Sequence, residues 1–170
     1  MMPSVKLRAL EPQDIDPIYH WENDPSVWEH SIHHTPFSRH ELTQYIMEAS
    51  LSDIYSAKQL RLIAEDNETN QAVGCIDITN FDPYHQRAEV GIIVDLSFRN
   101  RGYGRAIINA LIPFCSSSLQ LHQLYCIITA SNIQSIRIFE ANGFIRSATL
   151  PHWIKTSGGW TDATLLTKLL

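Results

Sequence analysis

Apolar positions recur along this chain with two periods, and the switches between them mark out its elements. Val5–Arg8 alternates as a short strand does. From Asp14 to Trp21 the residues Ile15, Ile18 and Tyr19 take helical spacing, until Asn23-Asp24-Pro25 breaks the run. Ser38-Arg39-His40-Glu41 is a capping box, and the helix it opens carries Leu42, Tyr45, Ile46 and Ala49 on one face. Residues 59–65 set Leu60, Leu62 and Ala64 against mostly polar neighbours, the mark of a half-buried strand. A polar turn over 66–70 leads to a returning strand over 72–79. Asp82-Pro83-Tyr84 then turns the chain into a strand at Arg87–Val94.

The second half repeats the alternation of periods. A helix is expected from about Gly102 to Pro113. The proline there removes the bond to the Asn109 carbonyl and predicts a kink or an early end. Residues 124–129 read as a short apolar strand. Asn132 and Ser135 begin a helix with Ile133, Ile136 and Phe139 as its apolar face, Ile138 at the margin and Asn142-Gly143 as the C-cap. Residues 144–153 and 160–169 flank Ser157-Gly158-Gly159 as a final hairpin. Strands on either side of helices, with hairpins at both ends, imply an α/β mixed sheet with helices on both faces.

One junction carries chemistry. The strand ending at Val94 runs through a polar loop into Arg99-Asn100-Arg101-Gly102-Tyr103-Gly104-Arg105, and a helical apolar pattern follows at Ile107, Ile108 and Leu111. A glycine loop at a helix N-terminus offers unpaired N–H groups and the positive end of the helix dipole, which suit a phosphate. The plainer reading is a tight turn that needs glycine for its backbone alone. A dinucleotide fingerprint fails because its third glycine position is Ile107 and no acidic residue ends the next strand, which excludes a nicotinamide dehydrogenase. A P-loop fails because Gly-Lys-Ser/Thr does not occur.

What remains, Arg99-x-x-Gly102-x-Gly104 after an apolar strand, resembles the signature of the GNAT superfamily of acetyl-CoA-dependent N-acetyltransferases, Gln/Arg-x-x-Gly-x-Gly/Ala. Downstream, Asn132-x-x-Ser135-x-x-x-Phe139-Glu140-x-x-Gly143-Phe144 is similar to that family's Asn-x-x-Ala-x-x-x-Tyr-Glu-x-x-Gly-Phe. The two motifs lie in the family's order with an apolar strand between them. The resemblance runs from Val5-Lys6-Leu7-Arg8 to the C-terminal strands and is closest to the ribosomal-protein and spermidine N-acetyltransferase branch. It implies a largely antiparallel sheet of about seven strands and acetyl-CoA as co-substrate.

Composition narrows the setting. The 170 residues, 44% of them hydrophobic, fit one domain over 1–170 with a sizeable core. No apolar run is long enough for a membrane span, and the N-terminus lacks a signal-peptide core. Cys75, Cys115 and Cys126 each lie beside apolar residues and read as buried free thiols in a reducing, cytoplasmic compartment. A net charge of −5 argues against nucleic acid and accords with a cationic substrate.

Acetylating an amine requires a grip on the thioester, a base, an oxyanion donor and a proton for the departing thiolate. The resemblance implies that the main chain of Ile92 and Val94 pairs with the pantetheine arm and that the N–H groups of Arg99, Asn100, Arg101, Gly102, Tyr103 and Gly104 hold the pyrophosphate. Asn132 then contacts the pantetheine side, and Ser135 either joins it or caps its helix. Glu89 is the candidate base. Glutamate is disfavoured within a strand unless something holds it, and partial withdrawal from water strengthens a carboxylate as a base. The alternative is a structural carboxylate paired with Arg87 or another arginine.

Phe139 departs from the family pattern, since many relatives place a proton-donating tyrosine there. A water or a hydroxyl of Tyr84, Tyr103 or Ser131 would then protonate the thiolate, with Phe139 packing beside the cofactor. The departure also motivates a rival reading, a non-catalytic acyl-CoA-binding module. For the acceptor, the segment after the first helix offers Trp28, Glu29 and His30, with Trp21, Glu22 and Asn23 nearby, an aromatic and acidic set suited to an organic cation. Trp21, at helical spacing, reads rather as a core anchor. His30, His33 and His34 lack cysteine or carboxylate ligands in a metal-binding pattern, so no metal is expected. The reading is therefore an N-acetyltransferase acting on a protein N-terminus, a polyamine such as spermidine or another small amine, with a homo-oligomer open.

Overall fold

Residues 2–28 and 35–170 are described by a computed structural model. Seven strands form one sheet: β1 (Val5–Arg8), β2 (Leu60–Asp66), β3 (Ala72–Asp82), β4 (Arg87–Val94), β5 (Gln123–Thr129), β6 (Ile145–Thr156) and β7 (Gly159–Leu169). Their order is β1-β2-β3-β4-β5-β7-β6, antiparallel except between β4 and β5. The expected mixed, largely antiparallel sheet is what forms.

Strand alternation sorts the core into two layers. Ile63, Cys75 and Ile93 lie abreast across β2, β3 and β4 and are covered by α1 (Ile15–Glu22) and α3 (Arg39–Leu51) through Ile18, Trp21, Leu42 and Ile46. The next row, Leu62, Ile76 and Ile92, faces the other way. There α5 (Tyr103–Pro113) and α6 (Ile133–Glu140) lay down Ile107, Ile108, Leu111, Ile136 and Phe139. Each fully buried isoleucine contributes on the order of 1.5–3 kcal/mol, so both helical layers are held chiefly by apolar area. All three cysteines are buried and free as expected, and burial pushes the Cys75 thiol up to about 12.

The edge strand β1 is tied down by charge. Arg8 meets the buried Asp14 carboxylate with two nitrogens at 2.7 and 2.9 Å and reaches Glu65 at 2.7 Å, while Lys6 takes the other oxygen of Glu65. The hydrogen bond from Arg8 to Asp14 is the main cause holding that guanidinium above its ordinary range, against the pull of desolvation.

Several elements depart from the sequence pattern for local reasons. Pro25 ends one helix but starts another, α2 (Pro25–Trp28), since proline suits a first helical position. Asp53 caps the short α4 (Ile54–Ala57), which has too few residues for a period to register. Strand β3 runs on to Asp82 through a bulge. At Pro113 the α-helix ends and one π-helical turn continues to Ser118, with the Leu119 N–H bonded to the Phe114 carbonyl, so the proline acts as expected. Ile133, expected on the buried face of α6, is 44% exposed because it sits in the first turn, beyond the edge of the core.

The sheet splits where the function must lie. The parallel ladder covers only Arg87–Gln123, Ala88–Leu124 and Glu89–Tyr125, yet β4 continues to Val94 and β5 to Thr129. Beyond Glu89 the two strands diverge and leave a wedge between them. On its other edge β4 is held close to β3. A Cβ on Gly74 would lie 2.2 Å from the Ile93 carbonyl oxygen, an approach only glycine allows.

Candidate active site

The wedge opens into a continuous cleft of about 1880 Å³. Its two halves correspond to the two faces of the sheet. One half is built by the ends of α5 and α6, the other by α1, α3 and the outward side chains of β2 to β4.

The glycine loop occupies the first half. Gly102 is the N-cap of α5 with φ +88°, a left-handed conformation that glycine adopts without strain. The helical ladder begins with the Ala106 N–H bonded to the Gly102 carbonyl, which places the N–H groups of Tyr103, Gly104 and Arg105 ahead of it. Gly104 serves packing as well, since a Cβ there would lie 3.1 Å from Ile138 and 3.5 Å from Ile92.

Of the residues expected to hold the cofactor, Ile92, Val94, Arg99, Asn100, Gly102, Tyr103, Gly104, Asn132 and Ser135 all line the cleft. Arg101 does not. Several are already engaged within the protein. Arg99 donates from Nε to the Val94 carbonyl at 3.0 Å and from Nη1 to Ser26 at 3.2 Å, and it lies 3.6 Å from Asp24. Its side chain therefore clamps the loop to α2, and its own N–H bonds to the Leu96 carbonyl. Asn100, at φ +60°, accepts from Gln134 at 2.7 Å, which joins the loop to α6. The Tyr103 hydroxyl donates to Asp66 at 2.8 Å, and that bond is the main cause raising its pKa. At α6 the cap is Asn132, whose Oδ1 accepts from the Ser135 N–H at 3.1 Å. The capping role considered for Ser135 thus belongs to Asn132.

The second half is acidic. Arg61 of β2 pairs with Asp77 of β3 through Nε and Nη2 at 2.6 and 2.7 Å, and its Nη1 binds Glu22 of α1. Asp77 stands opposite Gly91 in the register, and Thr79 stands opposite Glu89. Arg61, Asp77, Gly91 and Glu89 thus share the face beneath α1 and α3. A Cβ built on Gly91 would meet nothing within 4 Å, so the floor there is open. Glu41 and Tyr45 of α3 complete the wall, with the Tyr45 ring 5.7 Å from the Arg61 guanidinium. Burial raises the Tyr45 phenol, with Arg61 opposing. Sequence reasoning named Glu22 for the acceptor and Glu89 as the base, both of which line the cleft, but missed Arg61 and Asp77. Their signal was two opposite charges, each set between apolar neighbours, Arg61 between Leu60 and Leu62 and Asp77 between Ile76 and Ile78.

Glu89 sits at the fork of the wedge, half-buried, lining the cleft. Its Oε2 accepts from Asn80 Nδ2 at 2.7 Å, whereas Arg87 pairs with Asp82 at 3.5 Å. The structural pairing of Glu89 with Arg87 is therefore not what forms. Phe139 does not pack beside the cleft. Its ring is 2% exposed, edge-on to Phe144 at 5.0 Å in the core. Tyr84 is 88% exposed on a turn off the cleft wall, and Ser131 is off the wall as well.

Of the acceptor candidates, Trp28 turns its indole N–H to the Glu22 carbonyl at 2.5 Å and is off the cleft wall. Trp21 is a core anchor, 3% exposed, donating to Asp95 at 2.8 Å. Desolvation pushes the Asp95 carboxyl up, but the bonds from Trp21 and Ser97 prevail and hold it below its usual range. Glu29, His30, His33 and His34 lie outside the described residues.

Comparison with known proteins agrees with this geometry. The chain is 24% identical over 162 residues to the spermidine N(1)-acetyltransferase of Vibrio cholerae serotype O1, covering 95% of this chain and 91% of that protein. The crystal structure of the Vibrio cholerae spermidine N-acetyltransferase in complex with CoA and spermine superposes with a TM-score of 0.87 at 22% identity, covering 98% of this chain and 95% of that one. A dodecameric structure of that enzyme, in an intermediate state, matches with a TM-score of 0.81 at 23% identity over 98% and 94% of the two chains. The acetyltransferase (GNAT) domain family matches residues 4–145. With its split sheet, its glycine loop and a match over most of its length, the chain belongs to the GNAT acetyltransferase family, whose co-substrate is acetyl-CoA.

Proposed function

We propose that the protein, acting as one domain over its 170 residues, transfers acetyl from acetyl-CoA to a primary amine of a polyamine. The observation that carries the reading is the acidic half of the cleft. Glu22, Glu41, Asp77 and Glu89 line it against the single guanidinium of Arg61. Arg61 is engaged on both sides by Asp77 and Glu22, so its charge is already matched and an acceptor bearing a carboxylate gains little from it. A flexible polycation gains from the excess of these carboxylates over Arg61. The Vibrio cholerae relatives, a spermidine N(1)-acetyltransferase and a structure in complex with CoA and spermine, support the same direction.

In this reading acetyl-CoA supplies the activated acyl group, and the protein orients it and moves protons. The first turn of α5 and the loop from Asn100 to Gly102 hold the phosphates, and the free edge of β4 at Ile92 and Val94 receives the pantetheine arm. The Val94 carbonyl, already accepting from Arg99, has one lone pair left for that task. Glu89 takes the ammonium proton and the freed amine attacks the thioester carbon. The C–N bond forms, the C–S bond breaks, and the second proton shed by the nitrogen passes through water to the thiolate. Phe139 has no proton to give and lies in the core. Thiolate leaves readily, so a missing side-chain acid is compatible with turnover. The exposed apolar side chains of β6, Ile145 and Trp153, with Trp160 of β7, are where a homo-oligomer would bury surface, and one relative is dodecameric. No helix among the described residues is long and apolar enough to cross a membrane, which accords with a cytoplasmic enzyme.

The test is thiol release from acetyl-CoA with spermidine, spermine, monoamines, free amino acids and peptides with free N-termini. Turnover highest with the polyamines supports the reading. Preference for amino acids or peptide N-termini overturns the polyamine assignment. Acetyl-CoA binding with no transfer to any amine favours the acyl-CoA-binding module.

The cofactor half has its own check. Gly102→Val forces a β-branched residue to φ +88° and brings its Cβ to 3.1 Å from Pro3. The loop must then move. Acetyl-CoA affinity measured by calorimetry should weaken by about tenfold or more, the scale of one lost charge-assisted hydrogen bond. The far-ultraviolet spectrum should be unchanged. Unaltered affinity would separate the loop from phosphate binding.

A further inference from the structure

Asn80 is placed where a regular strand would not put it. In the ladder between β3 and β4, Thr79 pairs with Glu89 but the next pair is Asp82 with Arg87, so β3 carries one residue more than β4. Asn80 falls in that bulge with φ +48°. In an unbroken strand residue 80 would point to the opposite face from Thr79 and Glu89. The bulge re-aims it, and its Nδ2 donates to Glu89 Oε2 at 2.7 Å. Asn80 lines the cleft and also the smaller recess behind it, which Tyr125, Asp82 and Arg87 share, so it stands as the partition between them. Tyr125 lies abreast of Glu89 in the parallel register. Burial and then the Glu89 charge raise its phenol, and a hydrogen-bond contact with Asn80 draws it back. Besides the amide, Tyr125 and Cys126 both feel the Glu89 charge, Arg87 and Asp82 lie beside Tyr125, and Asp77 is the next acid along the same face.

We propose that Asn80 is a positioning residue for the transfer: its amide holds Oε2 of Glu89 at the fork of the split sheet and leaves Oε1 to accept the proton of the incoming ammonium. The left-handed backbone is part of the device. Asparagine tolerates αL better than other residues with a side chain, and it carries the donor a carboxylate requires. A neutral donor orients Glu89 without neutralising it. An arginine at the same place would orient the carboxylate but weaken it as a base.

The proposal rests on Glu89 acting as the base, and the variants keep the two questions apart. Asn80→Gly retains the backbone conformation and removes the amide. With spermidine and acetyl-CoA, kcat should fall about ten- to a hundredfold, the range of one hydrogen bond to a charged group. The KM for acetyl-CoA should stay within about twofold, since the amide touches the base and not the cofactor half of the cleft. Asn80→Asp, which keeps the shape and adds a like charge, should be at least as slow. In a Glu89→Gln background Asn80→Gly should cost almost nothing further, since both act through one group. Glu89→Gln inactive with Asn80→Gly fully active overturns the positioning role alone. Glu89→Gln fully active overturns the base and the positioning role together. A loss in Asn80→Gly that persists undiminished in the Glu89→Gln background assigns Asn80 to the bulge rather than to the base.

Discussion

Glu89→Gln should lower turnover by about 10²–10⁴-fold, the usual contribution of a general base. A primary ammonium has a pKa near that of lysine, about 10.4, so at neutral pH nearly all of the acceptor arrives unable to attack. Glu89 is half-buried at the point where β4 and β5 separate, on the face that carries the acidic half of the cleft. Glutamine keeps the shape, and its carbonyl oxygen can accept from Asn80 as the carboxylate does at 2.7 Å. The substitution thus removes basicity and little else. Acetyl-CoA affinity should be nearly unchanged, and activity should recover in part at high pH as free amine accumulates. A loss below about threefold at neutral pH, far under the range for a base, would mean that the proton leaves through water or another group. Glu89 would then be structural.

What could be read from sequence followed from local rules. The period of apolar residues located the strands and the longer helices because packing on two faces of a sheet leaves a repeating mark. The loop at Gly102 was legible because a strand, glycines and a helix start must be adjacent in sequence to work together. The acidic row was not. Glu22, Arg61 and Asp77 come from three elements and meet only when β2, β3 and α1 are stacked, and no spacing along the chain encodes that. The same holds for Asn80 and Glu89, which are joined by a bulge whose extra residue is invisible until the register is known. Arg99 and Trp28 show what residue type leaves open: the Arg99 side chain clamps Val94, Ser26 and Asp24, and the Trp28 indole turns to the Glu22 carbonyl. A residue type states what a side chain can bind, and only the fold states what it already binds.

Arg61→Met should be the most destabilising single change at the site. The guanidinium is buried and held well above its ordinary range; desolvation opposes this, and the surrounding negative groups, Asp77 and Glu22 among them, outweigh it. Removing it strands two carboxylates against each other under α1, and breaking a buried pair in this way costs about 3–5 kcal/mol. For a chain of this size each kcal/mol lowers the melting temperature by about 2–4 °C, so a drop of roughly 6–20 °C is expected by calorimetry. Adding Asp77→Asn and Glu22→Gln to Arg61→Met should restore most of the stability, since a neutral, polar cluster has no charge to strand. That triple variant would also separate fold from function. It is stable but has lost two of the carboxylates that face the acceptor, so its KM for spermidine should rise while its affinity for acetyl-CoA stays put. A triple variant that recovers neither stability nor fold would show that Arg61 acts through its guanidinium over the Tyr45 ring, 5.7 Å away, and not by balancing the two acids. One with an unchanged KM would remove the acidic row from acceptor recognition.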